Sequence, residues 1–533
     1  MLNRFRAAVF VLACVLVSHA DRMRAQTSTS APSQQSQKPT FTFRTTTRIV
    51  LTDVTVTDAK GNPVHGLKES DFHILDNGKP QRVLSFTEHK TAPVTSMPRV
   101  TTAPGVYSNS FLEHLPPVLN IMVIDTTNME FVDQMYLRYK LDQFIKQLPQ
   151  GEPLAIYLNT GPHSLLLQNF TSDRTLLLNA IHEAIPRFPP TGREYYSDLS
   201  TLYKVAVSFD EYPGRKNILW FTGGSTLFLN DDPRALGGLP QEDPADERAI
   251  YDILQTGRIA VYPVDARGLQ VVFGDASFIN LTSQHGLMND AAQATGGHAY
   301  YNNNGLDLIA EHWLHDSGDF YTLTYSPSDF AMNNKWHKVR IQLNHNGPKY
   351  FLSYRRGYFA DGSITEKHPS NKWRTQLLAD GGAVERRDLR RKPIIFQVEI
   401  KPASEISSGP IVAGVSPSVK PKRGTIPYAI HYELPARSFT TKVVNGKTEM
   451  EFGIGVIAFK GDGSKDAGLA SRITLAVSPD KLRQNPDFKI PVDQRINLHK
   501  GQSYLYLATW DMNSGRLGTL QVPLHVAAPH RPH

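Results

Sequence analysis

The chain has 533 residues, 20% of them charged and 10% aromatic, with a formal net charge of +7. That length exceeds a single core and implies roughly two to four domains of ordinary globular composition. The balance is basic, but the densest run, "ERRDLRRK" at 385–392, carries no interleaved aromatics and no recognition motif, so no nucleic-acid partner is expected.

Residues 1–20 have the layout of a secretory signal peptide. Arg4 and Arg6 precede the apolar run "AAVFVLACVLV", and "SHA" stands before Asp21. The run is too short to span a bilayer comfortably, and no transmembrane segment is expected after cleavage. Cys14, the only cysteine, lies inside it. Lipoprotein anchoring through Cys14 is the less favoured alternative, because apolar residues continue beyond it. Cleavage removes two arginines, giving 7 − 2 = +5, and leaves no thiol for a disulfide, a nucleophile or a Cys-zinc site. The expected destination is the periplasm or the exterior.

Residues 21–40 are Ser, Gln, Thr and Pro, a flexible leader. A β segment is expected over 41–90, where Val50, Thr52, Val54 and Val56 share one face by period two, with a hairpin at Asn77-Gly78. Residues 91–117 read as a loop. Over 118–319 strands alternate with helices, which predicts an α/β doubly wound domain with a mainly parallel sheet. Its strand candidates are 118–125, 153–160, 164–171, 216–224, 258–266 and 298–302. Helices are expected near 131–148, 173–185, 197–212, 245–256 and 287–295. Asp173 can cap the second helix, whose Leu176, Leu177, Ala180, Ile181 and Ala184 form one apolar face. A second β segment follows at 320–359, then a charged linker at 360–392. The strand-rich region 393–529, with turns at "NG", "GDGS" and "NSG", suits a C-terminal β-sandwich.

The phrases "DVTVTDAKGNPVHGLKESDFHILDNGKPQRVLSF", "VIDTTN", "YPGRKNILWFTGG", "IAVYPVDARGL", "AAQATGG" and "YTLTYSPSD…WHKVRIQL…YRRGYF" span roughly 45–360. In this order they resemble the VWFA-related domain family of acidobacterial type, a divergent von Willebrand factor A-like fold. The resemblance implies a six-stranded doubly wound sheet and no particular activity. The β segments at 41–90 and 320–359 are each too short to bury much alone. They are therefore expected to pair into one sandwich around the inserted α/β domain, as in the integrin hybrid domain; two independent fragments is the alternative.

In the A fold a divalent ion sits above the sheet, held by a D-x-S-x-S loop, a distal Thr and a later Asp. Here the first loop offers Asp125, Thr127 and Met129, and the third of these is a thioether unsuited to Mg²⁺. Gly223 of "TGG" stands where the later acid belongs, and Thr191, Ser197 and Thr201 all qualify as the distal Thr. The resemblance thus leaves at most a weak, degenerate Mg²⁺ or Ca²⁺ site at Asp125 and Thr127. The competing reading has those two side chains cap the 131–148 helix or hold its loop.

Enzyme signatures fail on inspection. Ser225 of "FTGGSTLF" lacks the nucleophile elbow because residue 227 is Leu, and neither a phosphate-binding loop nor an H-E-x-x-H helix occurs. His312, His315 and Asp316 share a helix face but want a further ligand. The acidic stretch 229–247 lacks the spacing of a Ca²⁺ loop. No catalytic residue and no cofactor is therefore expected. The favoured function is an exported, non-catalytic binding or adhesion protein whose partner is a protein or an extracellular polymer. Its surface is the face around Asp125, Thr127, Gly223, Gly224 and Asp265, with Tyr195 and Tyr196 as aromatic anchors. The rival is an extracytoplasmic hydrolase of cell-envelope polymer; a third reading makes the C-terminal sandwich the binding module.

Overall fold

The computed structural model describes most of residues 49–527, apart from 91–102, 185–197, 225–249, 361–392, 404–422 and shorter breaks. The segments expected to be signal peptide, leader and nearly all of the charged linker lie outside the described residues.

The first β segment forms β1 (Val50–Thr57), β2 (Phe72–Asp76), β3 (Lys79–Gln81) and β4 (Val83–His89). Alternation sets the faces, with Val50, Thr52, Val54 and Val56 all buried. Asn77 and Gly78, both at positive φ, close the two-residue turn between β2 and β3. A short strand, β5 (Val106–Ser108), precedes the central module.

That module comprises β6 (Val118–Asp125), α1 (Phe131–Gln147), β7 (Leu154–Asn159), β8 (Ser164–Thr171), α2 (Arg174–Ala184), α3 (Asp198–Ser208), β9 (Arg215–Thr222), β10 (Ile259–Asp265) and α4 (Asp275–Thr295). The sheet order is β10-β9-β6-β7-β8, parallel except for the edge strand β8. One face packs on α1 and α2 through Leu137, Leu141, Phe144, Leu177 and Ile181. The other packs on α3 and residues 250–254 through Leu202, Val205, Ala206, Ile250 and Leu254. The near-continuous apolar strands follow from burial on both faces. Instead of a sixth strand, the 298–302 segment makes a single parallel bridge, Val264 to Tyr300. Asn302, at φ 56°, turns the chain away before a ladder can extend.

β11 (Phe320–Tyr325), β12 (Trp336–Leu343), β13 (Phe351–Tyr354) and β14 (Gly357–Phe359) return the chain to the first β region. The resulting sheets run β13-β1-β11-β4 and β14-β12-β2-β3 and share one core of Val54, Ile74, Leu323, Ile341 and Tyr358. Strands from before and after the central module thus share each sheet, alternating in the first and meeting at the β12–β2 pair in the second. Asp76 is buried at this core, where it accepts from Tyr325 Oη (3.1 Å) and Tyr358 Oη (2.6 Å) and pairs with His337 Nδ1 (2.8 Å).

The remaining strands are β15 (Gln397–Pro402), β16 (Thr425–Pro435), β17 (Thr441–Val444), β18 (Lys447–Lys460), β19 (Lys465–Val477), β20 (Lys489–His499), β21 (Gly501–Asp511) and β22 (Leu517–Val526). They form the sheets β20-β16-β15-β5 and β17-β18-β21-β22, with β19 also on β18, around a shared apolar core. The expected loop 91–117 therefore needs correction: β5 pairs with β15, and Asn109 fixes the junction. Its amide donates to the carbonyls of Ile394 (3.0 Å) and Thr519 (3.2 Å), and its oxygen accepts from Phe396 N (2.8 Å). The C-terminal sheets also rest on the central module. Leu166 N donates to Tyr506 Oη at 3.1 Å, and Tyr504 joins the apolar core that packs α1 and α2 on the sheet. Among the described residues no helix is long and apolar enough to cross a membrane.

Candidate functional site

Strand register assembles the site. β6 pairs with β7 so that Asp125 lies opposite Asn159, and β9 pairs with β10 so that Thr222 lies opposite Asp265. Ile124 faces Phe221 across the β6–β9 ladder, which puts Asp125 beside Thr222. Four polar residues thereby end four adjacent parallel strands in one row, at the edge where open α/β sheets hold ligands.

Asp125 is fully buried. Its Oδ1 accepts from Thr127 N (3.1 Å), Thr127 Oγ1 (2.6 Å) and Asn159 Nδ2 (3.0 Å), and Oδ2 lies 3.2 Å from Thr222 Oγ1. Thr201 on α3 donates to Asn159 Oδ1 at 3.2 Å, which brings one of the three distal threonine and serine candidates to the network. Thr191 and Ser197 lie outside the described residues. The loop after β6 is pinned to β7 by Thr126, whose N and Oγ1 both reach Asn159 O at 3.0 Å.

Burial pushes the Asp125 carboxyl above its ordinary pKa, while hydrogen bonds from Thr127, Thr222 and Asn159 pull it back. Proton arithmetic points the same way. The single Thr222 hydroxyl proton has two acceptors within reach, Asp125 Oδ2 and Gly224 O at 3.1 Å. A proton on Oδ2 would donate to Thr222 Oγ1 and leave the threonine proton to Gly224, satisfying both.

Among the described residues both carboxylate oxygens of Asp125 are engaged by its own loop and by the neighbouring strands. These residues do not fit a hard cation. Mg²⁺ needs about six oxygens in octahedral array. The loop offers one acid biased toward neutrality, and Met129 is buried at the third position. Among the described residues no group of three or more His, Cys, Asp or Glu could hold a metal.

Asp265 anchors a second network. It accepts from Arg267 Nε (2.9 Å), Arg267 Nη2 (2.8 Å) and Arg267 N (3.1 Å), and pairs with His285 Nε2 at 3.0 Å. Arg267 also donates to Gln284 Oε1 at 3.0 Å, and His285 stacks on Tyr301 at 4.2 Å. Burial raises the Asp265 pKa, but the hydrogen bonds and charge of Arg267, with the bond from His285, outweigh it and hold the carboxyl below its usual range.

Three expected surface residues are corrected here. Gly223, Gly224 and Asp265 are buried. A Cβ on Gly224 would sit 3.2 Å from the Gln284 amide, so that glycine is a packing position between the two networks. Tyr195, Tyr196, Ser225, His312, His315, Asp316 and the stretch 229–247 lie outside the described residues. Sequence reasoning missed Asn159, Thr222, Arg267 and His285. The available signal was positional, since Asn159 and Thr222 are polar residues closing apolar strands as Asp125 does.

Among the described residues that follow these strand ends, several large apolar side chains are exposed. Val132 (74% exposed) and Met135 (45%) lie in the first turns of α1, Leu269 (58%) in the β10–α4 connection, and Ile279 (64%) early in α4. All four follow the carboxyl ends of β6 or β10.

No protein-family model matches the chain, and no curated protein matches it. Solved structures with similarity include von Willebrand A proteins and the human COPII-coat protein Sec24c. A von Willebrand factor type A protein from Catenulispora acidiphila is 10% identical, covering 60% of this chain and 74% of its own, at a TM-score of 0.27. The SpRpn10 VWA domain is 12% identical over 37% of this chain and 94% of its own, at 0.22. The ArnB paralog VWA2 from Sulfolobus acidocaldarius is 10% identical over 55% and 76%, at 0.23. This is a distant likeness to von Willebrand A-like folds; strand order and register, rather than these scores, carry the account of the site.

Proposed function

We propose that the protein is an exported, non-catalytic binding protein whose von Willebrand A-like module engages a protein or an extracellular polymer at the carboxyl edge of its sheet, without an ion bridge. One observation carries the reading: the acids at this edge are buried and internally partnered, while large apolar side chains stand exposed around it. Exposed apolar groups gathered at one end of a soluble module mark interaction surfaces. A buried carboxyl that is neutral or fully partnered supplies no open ligand for a shared cation. Asp125 and Thr127 then represent an ion site whose acid has become a hydrogen-bond hub.

The test is co-sedimentation of the mature chain with isolated envelope polymer, together with cross-linking to envelope proteins, for the wild type and for Leu269→Glu combined with Ile279→Glu. Binding that weakens about tenfold or more in the double variant supports this surface. Binding unchanged by both charges refutes it, and soluble fragments released from the polymer would favour a hydrolase instead.

A further inference from the structure

The "AAQATGG" phrase ends α4 in two glycines that the carboxyl-edge site does not use. Gly296 caps the helix at φ +80°, and its Cβ would lie 3.1 Å from the backbone of Tyr354 and Arg355. A Cβ on Gly297 would sit 2.0 Å from Val261 O. Only glycine allows the helix end to approach both β10 and β13 this closely. Beside this contact lies a cavity of about 280 Å³ at the seam between the central sheet and the first β region.

Two chemistries line it. On one side stand Tyr262, His298 and Tyr300, with the His298 and Tyr300 rings edge to face at 5.0 Å. On the other stand the hydroxyls of Thr55, Thr57 and Ser353. Thr55 and Ser353 are direct partners across the β1–β13 ladder, and Thr57 shares the face of Thr55 by period two. Thr57 and Ser353 are half-buried, and their hydroxyls make no hydrogen bond among the described residues. Among the described residues no acidic or basic side chain other than the exposed His298 lines the space. The nearby Arg215 is buried and spends its guanidinium on Asn217, Tyr262 and the Gly296 carbonyl.

A charged ligand would lose hydration here with nothing to offset it. A ligand with one polar, hydroxyl-bearing edge and one apolar face matches both walls, and the volume is small against the roughly 300–1,000 Å³ of drug-sized sites. We infer that the seam cavity binds a neutral saccharide, one ring deep, with the ring face against Tyr300 and His298 and its hydroxyls on Thr57 and Ser353. This site shares no residue with the carboxyl-edge site and does not rest on the function proposed for it.

The experiment is saturation-transfer NMR with calorimetry on the mature chain, using glucose, galactose and N-acetylglucosamine, with glucuronate and glucosamine as charged counterparts. At least one neutral sugar should bind with a Kd of about 1 mM or tighter, and the charged sugars about tenfold more weakly. Ser353→Trp, which fills the cavity, should abolish binding, and Thr57→Val, which exchanges a hydroxyl for a methyl, should weaken it about tenfold at unchanged Tm. If Ser353→Trp does not fold, Thr57→Val and the charged sugars decide the question. No neutral sugar bound at about 20 mM, equal binding of charged sugars, or binding untouched by Thr57→Val overturns the inference. Leu269→Glu with Ile279→Glu should leave sugar binding intact, so the two sites fail separately.

Discussion

Replacing Asp125 with asparagine distinguishes a hydrogen-bond hub from an ion ligand. In the wild type three donors converge on Oδ1 at 2.6–3.1 Å, and Oδ2 faces the Thr222 hydroxyl at 3.2 Å. Asparagine keeps a carbonyl oxygen for the three donors and presents an N–H to Thr222, whose own proton then goes to Gly224 O. The expected cost at pH 7 is below about 1 kcal/mol. Alanine instead strands donors from Thr127 and Asn159 at about 1–3 kcal/mol each, for a total of about 3–5 kcal/mol once the Thr127 hydroxyl re-aims. The pH dependence has a definite sign. Burial raises the folded pKa above the ordinary aspartate range, so the carboxyl contributes most at low pH and loses that contribution as pH rises through its folded pKa. The stability of Asp125→Asn relative to wild type should therefore improve as pH rises from the unfolded pKa through the raised folded one. Urea unfolding followed by the fluorescence of buried tryptophans such as Trp220 measures both quantities. An asparagine variant as damaged as alanine at pH 7, or one that loses ground as pH rises, would show that the charge itself is required and refute the hub.

Other consequences follow from the same structure. Asp265 has a depressed folded pKa, so its contribution is present above the unfolded value and is lost as pH falls through the folded one. Arg267→Gln should therefore move acid unfolding to higher pH, read by circular dichroism; an unmoved midpoint would remove Arg267 from that role. In the first β region, Asp76→Ala strands two tyrosines and His337 and should cost about 3–6 kcal/mol, against about 1–2 for Tyr358→Phe, in urea titrations. Gly297→Ala drives a methyl into Val261 O at 2.0 Å and should cost about 3 kcal/mol in thermal unfolding, whereas the open Gly286 should tolerate the same change.

What the sequence made legible follows from strong local signals. The four apolar residues before Asp125 announce a strand buried on both faces, and Asn77-Gly78 announces its turn because few other pairs accept positive φ at both positions. Less was readable where the determinant is distant or short. Three residues of β5 carry no period, and their partner β15 lies nearly three hundred residues away. The first half of α4 carries the β-branched Ile279 and Thr282 and ends at Gly286, so the helix was expected only from 287 although it begins at Asp275. At the site, the acids were visible but not their burial. Asp125 depends on Asn159 and Thr222, which register alone brings beside it, and Asp265 depends on His285 one helix later. A motif that matches an ion site at one acid and one hydroxyl says nothing of who accepts and who donates once strands align.

The most direct test of the central claim is thermal unfolding of the chain from residue 21 onward with and without about 10 mM Mg²⁺, Mn²⁺ or Ca²⁺. A site with a Kd of about 0.1 mM would add about 2.7 kcal/mol, a readily measured rise in Tm. The hub predicts no specific rise with any of the three ions, and the same ion response in the wild type and in Asp125→Asn. A rise in the wild type that disappears in Asp125→Asn would contradict it and restore an ion to the end of this sheet.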